Sequence, residues 1–303
     1  MTTAQHRTAD GRVAHRPRLA LAVGMLGAAA LALSACAAPA PVETLVPMPL
    51  PIIEVERSTA PAGELPAEVQ SSLQAALDGI MAEFDVTGAV AGVWVPGEGS
   101  WTTAVGLADI EAGVPASTDM QWPLRSLTKS YTVTLILQLA DEGLISLDDT
   151  LDQYVDGVTN GESITIRELA GMQAGIADYT AQAFLEDFTE DPDKLYTLDE
   201  LNSFAVDLPE QFAPGSKYIY TNANTNLIGA VIEKVTEKPY ADALNERILE
   251  PLGQTGTTYI TDAADWAEPH PVGYIVGEDG PMAQTETPSI LGAAGALFST
   301  LDD

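Results

Sequence analysis

The pattern of apolar and polar positions divides the chain into a strand-bearing front, a helical middle and an irregular end. Between Ala67 and Phe84, the residues Val69, Leu73, Leu77, Ile80 and Phe84 recur at helical spacing, which predicts one amphipathic helix. GAVAGVWV (88–95) and SWTTAVGLA (100–108) are rich in β-branched and aromatic residues and flank Pro96-Gly97-Glu98-Gly99, which predicts a hairpin. PLRSLTKSYTVTLILQLADE (123–142) has a different pattern. From Thr132 to Ala140 only Thr132, Thr134 and Gln138 are polar, so a helix buried nearly all round is expected. Pro123 closes the segment before it and Gly143 supplies a helix end, placing the start of this helix close to Ser126.

Further along, LISLDDTLDQYV (144–155) reads as a short helix or turn, and SITIRELAGM (163–172) as an extended entry into a short helix. Thr197 and Glu200 form a capping box before LNSFAVDL. After the turn at Pro214-Gly215, helix is expected from Asn226 to Thr236 and again to about Leu249, with a break at Lys238-Pro239. From Gln254 to Asp303 the pattern holds short apolar runs and no long helix, and no internal repeat is present. The sum is an α+β protein with a largely helical region.

Residues 1–35 carry Arg7, Arg12, Arg16 and Arg18, then an apolar run from Leu19 to Leu33, then small residues, which is the layout of an export signal. The run is shorter than the roughly 20 residues that span a bilayer. Leu33-Ser34-Ala35-Cys36 resembles a bacterial lipobox, so residues 1–35 are expected to be a lipoprotein signal peptide and Cys36 the lipid-bearing new N-terminus. The expected location is extracytoplasmic, lipid-anchored to the bacterial membrane. Seven prolines between residues 37 and 66 make 36–66 a stalk, and one domain follows from 67 to 303.

Without residues 1–35 the chain holds 9 basic and 43 acidic residues, a net charge of −34, which repels nucleic acid and anionic lipid headgroups. Cys36 is the single cysteine, so no internal disulfide and no other thiol chemistry is available. His270 is the one histidine beyond the leader. No metal site and no cofactor are expected, and a Ser-His-Asp arrangement would depend on His270 alone, in the proline-flanked stretch AEPHPVG.

Ser126 and Lys129 stand three apart at a helix start, so both side chains share one face, one turn apart. The free N–H groups and positive dipole end there favour a seryl alkoxide, while the same field and burial work against a lysine cation. That suits Lys129 to accept the serine proton. The plain alternative makes Ser126 a helix cap and Lys129 a solvated first-turn residue. Tyr220-Thr221-Asn222 follows 94 residues after Ser126, and a tyrosine held near the pair could relay the proton while Asn222 presents its amide to substrate. The plain alternative packs Tyr220 with Tyr218 and uses Asn222 as a helix cap.

Four stretches, WPLRSLTKSYTVTLILQLADEGLISLDD, SITIRELAGMQAGIADY, PGSKYIYTNANTNLIGAVIEKVTEKPY and ILEPLGQTGTTY, together resemble the penicillin-recognising serine hydrolases: class C-type β-lactamases, serine DD-peptidases and related esterases. The resemblance covers about residues 67–303. It implies a β-lactamase/DD-peptidase-like antiparallel sheet flanked by helices, with Ser126 as nucleophile, Lys129 and Tyr220 as a coupled base and Asn222 as a substrate contact. D-Ala-D-Ala-type peptides, β-lactams and esters are the implied substrates. Met172-Gln173-Ala174-Gly175 departs from the family's HTSG-like stretch. The family's third motif, (K or H)-x-G, lies beyond a stretch like GAAGALFSTLDD, so the domain is expected to be incomplete at its C-terminal end, with strands missing. Two function classes follow: an acyl-enzyme hydrolase, or a non-catalytic lipid-anchored surface protein that keeps the fold and binds cell-wall peptides.

Overall fold

A computed structural model describes residues 61–277, 280–285 and 287–303. Cys36, the leader and the proline-rich segment up to residue 60 lie outside the described residues. Helix α1 (Ala67–Glu83) forms where the apolar spacing predicts it, yet none of its residues is buried. Val69, Ile80 and Phe84 are exposed while Leu73 and Leu77 are half-buried, so the apolar stripe is covered only at its centre. Strands β1 (Gly88–Val95) and β2 (Gly99–Asp109) pair antiparallel from Gly88 opposite Gly106 to Val95 opposite Gly99. The end of β2 pairs with β3 (Val114–Pro115) across an irregularity between Leu107 and Asp109.

Strand β4 (Trp122–Pro123) leads into a 3-10 turn, Arg125–Leu127, that runs on into α2 (Thr128–Asp141). This helix buries Thr128, Lys129, Thr132, Leu135, Ile136 and Leu139. It is not buried all round: Ser130, Thr134, Leu137 and Asp141 form an exposed stripe. A shortage of polar residues does not require full burial, because α2 packs on one side only and an isolated exposed Leu is ordinary.

Two capping boxes start short helices. Thr165 with Glu168 opens α3 (Ile166–Ala170). After α4 (Gln182–Glu190), Thr197 with Glu200 opens α5 (Leu198–Val206). Each box satisfies two otherwise unbonded N–H groups, one from each partner. The central helix α6 (Asn222–Thr236) buries nearly every residue from Ala223 to Ile232. Helix α7 (Tyr240–Leu244) follows Pro239. Leu135, Ile136 and Leu139 of α2 share one core with Leu227, Ile228, Val231 and Ile232 of α6, Leu201 of α5 and Tyr240 and Leu244 of α7. Each such side chain contributes about 1.5–3 kcal/mol by leaving water.

The last part of the chain holds β5 (Thr258–Tyr259), the hairpin β6 (Gly273–Gly277) with β7 (Gly280–Gln284), and β8 (Leu297–Ser299). The hairpin was not evident in the sequence. Strand β8 lies between β4 and β5, antiparallel to both. It therefore ties the end of the described chain to the segment just before Ser126: the Leu124 N–H donates to the Leu297 carbonyl at 2.8 Å. The architecture is α+β, with small antiparallel sheets and a helical body.

Candidate active site

Pairing of β4 with β8 fixes the chain up to Pro123, and the turn at Arg125 then aims the next side chain. Arg125 has φ 51°, a left-handed conformation that a non-glycine residue holds at a cost of about 1–3 kcal/mol. Strain of that kind persists only where surrounding contacts over-determine it, and here it precedes Ser126 directly. Ser126 caps nothing; its side chain is exposed in the 3-10 turn that opens the helix, where the Leu127 N–H donates to the Leu124 carbonyl at 3.1 Å. One turn on, Lys129 is 7% exposed.

The Lys129 Nζ faces three acceptors. It donates to Asn222 Oδ1 at 2.8 Å, to the Ala294 carbonyl at 2.8 Å, and to Ser126 Oγ at 3.1 Å. As an ammonium, the lysine satisfies all three. As an amine, it keeps the two carbonyl contacts and turns its lone pair toward Ser126 Oγ.

Tyr220 OH donates to the same Oγ at 2.7 Å, and the lysine Nζ lies 4.9 Å from the centre of its ring. Tyr220 is 48% exposed, so the hydroxyl pair can be reached from solvent. Asn222 is not the cap of α6. Thr221 is: its Oγ1 accepts the Asn224 N–H at 3.4 Å and Asn224 Nδ2 at 2.8 Å. The helix starts four residues earlier than its hydrophobic pattern suggests, because polar Asn222, Asn224, Thr225 and Asn226 occupy its first turn. Capping by Thr221 leaves the Asn222 side chain for Lys129. The Asn222 N–H donates to Asp178 Oδ2 at 2.6 Å, a contact that sequence reading missed.

Met172, with φ 55°, stands where the sequence departs from HTSG. Its carbonyl accepts the Ile219 N–H at 3.1 Å, and the Gln173 carbonyl accepts the Gly215 N–H at 2.9 Å. The segment supports the approach to Tyr220 through its backbone, so loss of the hydroxyl-bearing side chains leaves that support in place. His270 takes no part. It stacks on Trp266 with ring centres 3.9 Å apart and pairs with Glu268 at 3.2 Å. Among the described residues no group of three His, Cys, Asp or Glu side chains could hold a metal ion.

The structure thus gathers Ser126, Lys129, Tyr220 and Asn222, separated by up to 96 positions, into one hydrogen-bonded cluster. Such a cluster can move a proton off a hydroxyl and return it elsewhere. The family model for Beta-lactamase matches residues 73–303. A D-aminopeptidase of Brucella anthropi is 31% identical over 195 residues, covering 64% of this chain and 37% of that protein. A D-aminopeptidase of Brucella canis is 29% identical over 238 residues, covering 77% and 44%. Among solved structures, a D-stereospecific amidohydrolase from Streptomyces sp. superposes with a TM-score of 0.65 and 31% identity over 78% of this chain and 69% of that one. The D-amino acid amidase from Ochrobactrum anthropi SV3 complexed with L-phenylalanine amide gives 0.67 and 27%, over 77% and 67%. The chain spans less than half the length of these two curated relatives.

Proposed function

Since the chain belongs to the beta-lactamase family, we propose that it is a serine amidohydrolase that forms an acyl-enzyme on Ser126. The observation that carries this reading is the pair of contacts on one oxygen, Tyr220 OH at 2.7 Å and Lys129 Nζ at 3.1 Å from Ser126 Oγ. Ser126 Oγ attacks the substrate carbonyl carbon and its proton passes to the Lys129–Tyr220 pair. The pair, acting as a unit, then protonates the leaving nitrogen as the C–N bond breaks. Water attacks the resulting ester and gives its proton to the same pair, which passes it to Ser126 Oγ as the ester C–O bond breaks and the acid product leaves. Asn222, with its oxygen on Lys129, has its Nδ2 left to donate to a substrate carbonyl.

The substrates we propose are small amides of D-amino acids, with a free amino group and no carboxylate. Support comes from the names of the relatives and from charge: the chain carries a formal net charge of −31, a field that attracts a free ammonium group and repels a carboxylate. The D-Ala-D-Ala peptides and β-lactams carry such a carboxylate. The leader and Cys36 support the further proposal of lipid anchoring on the extracytoplasmic face. Mass spectrometry of the native protein checks it: a diacylglyceryl group on an N-terminal Cys36 is expected, and an unmodified Cys36 in a chain keeping residues 1–35 overturns it.

Turnover of D- and L-alanine p-nitroanilides, each free and N-acetylated, tests the substrate class. The free D-anilide is expected to turn over fastest. Preference for the L-form, or for the acetylated anilides, would reject it while leaving the serine chemistry standing.

A further inference from the structure

We propose that Asn226 and Thr132 are positioning residues, which hold the Ala293–Ala294 peptide so that the Ala294 carbonyl faces Lys129 Nζ. The inference rests on Ser126 being the nucleophile. Its ground is a repeated arrangement on two helices. On α2, Thr132 follows Lys129 by three residues; on α6, Asn226 follows Asn222 by four; each pair shares a face one turn apart. The first member of each pair meets at the lysine amine, the Asn222 Oδ1 accepting from Lys129 Nζ at 2.8 Å. The second members meet on one strap of backbone: Thr132 Oγ1 donates to the Ala293 carbonyl at 2.7 Å, and Asn226 Oδ1 accepts the Ala294 N–H at 3.0 Å.

The strap has little freedom. Gly292 turns it with φ 52°, and a Cβ there would sit 2.9 Å from Asn226 Oδ1 and 2.8 Å from Leu198. Downstream, the Leu297 N–H donates to Thr128 Oγ1 at 3.2 Å. Thr132 is itself anchored by Tyr240 OH at 2.6 Å, which can donate to it while it donates onward, a chain whose members polarise one another. Thr132 and Asn226 are both 0% exposed. A buried amide or hydroxyl is disfavoured by burial unless its hydrogen bonds compensate, and these bonds go to the peptide unit immediately before the carbonyl that Lys129 uses. With the Ala294 carbonyl displaced, Lys129 loses one of two acceptors that fix its amine, and its reach to Ser126 loosens. A misplacement of about 1 Å at a reacting group lowers a rate by as much as about 10²-fold.

The test measures the second-order rate of Ser126 labelling by an activated-serine phosphonate, with the melting temperature of each variant. Asn226→Leu should label about 10- to 100-fold more slowly than wild type, the range set by such a misplacement. Asn226→Asp, which keeps the acceptor oxygen, should recover most of that loss. Asn202→Leu removes another buried asparagine of the α5–α6 contact, one that donates to the Asn226 carbonyl at 3.2 Å; it should lower the melting temperature and leave labelling near wild type. Wild-type labelling in Asn226→Leu, or equal slowing in Asn226→Leu and Asn202→Leu, overturns the positioning role. Should Asn226→Leu fail to fold, Thr132→Val decides, with slowed labelling expected and an unchanged rate contradicting the proposal. Absence of labelling at Ser126 in the wild-type protein would instead sink the nucleophile assignment, a separate failure.

Discussion

The helical body and the α1–β1–β2 region are equally legible in the hydrophobic pattern, yet they differ in what they bury. In the body, Leu135, Ile136, Leu139, Leu227, Ile228, Val231 and Ile232 are fully enclosed. In the other region no residue of α1 is fully buried, and every residue of β1 is half-buried except Trp94, which is exposed. All four clustered side chains belong to the body: Ser126 and Lys129 at the head of α2, Tyr220 and Asn222 at the head of α6. Periodicity therefore reports which face of an element is apolar, and tertiary contact decides whether that face is covered. The site stands at the edge of the covered body, with Lys129 buried and Ser126 and Tyr220 open to solvent.

The contrast is sharpened most by the site itself. Lys129→Ala is expected to slow acylation by about 10²- to 10⁴-fold, the range for losing a general base, and Tyr220→Phe should act in the same direction with the fold intact. Stopped-flow acylation by a chromogenic substrate checks both. Next in size, Leu135→Ala leaves a cavity at a fully buried position and should destabilise the protein by about 2–5 kcal/mol in urea unfolding. Native-state hydrogen exchange should separate the two regions, with slow exchange in α2 and α6 and faster exchange in α1 and β1. Equal protection would mean that α1 and β1 are held as firmly as the body. The smallest effect is Phe84→Ser, at a residue 65% exposed, where a change within about 0.5 kcal/mol and no change in acylation are expected.

Much of this architecture could be read from residue types alone, because it depends on short-range rules. The hairpin at 88–109 follows from β-branched arms around a Gly-rich turn, and the Thr197–Glu200 box forms as written. The neighbouring Thr165–Glu168 box obeys the same rule and was overlooked inside an apparently extended stretch. The Ser126–Lys129 pair was legible because three residues on a helix is a fixed distance. Its convergence with Tyr220 and Asn222 was implied by family resemblance, since no local rule brings together groups 94 and 93 positions apart. The role of Ala294 was not legible at all. A backbone carbonyl carries no residue-type signal, and its aim depends on Gly292, Thr132 and Asn226 acting from three separate segments. The left-handed turn at Arg125 was hidden for the same reason, since arginine gives no hint of positive φ.

The central claim is that Ser126 becomes covalently acylated during turnover. It is tested most directly by quenching the protein in acid while it hydrolyses a free D-aminoacyl anilide and mapping the digest by mass spectrometry. The predicted result is one added aminoacyl group on the peptide containing LRSLTK, located at Ser126 and absent from Ser126→Ala, which should also lose turnover. An acyl group on a different residue, or undiminished turnover by Ser126→Ala, would contradict the account.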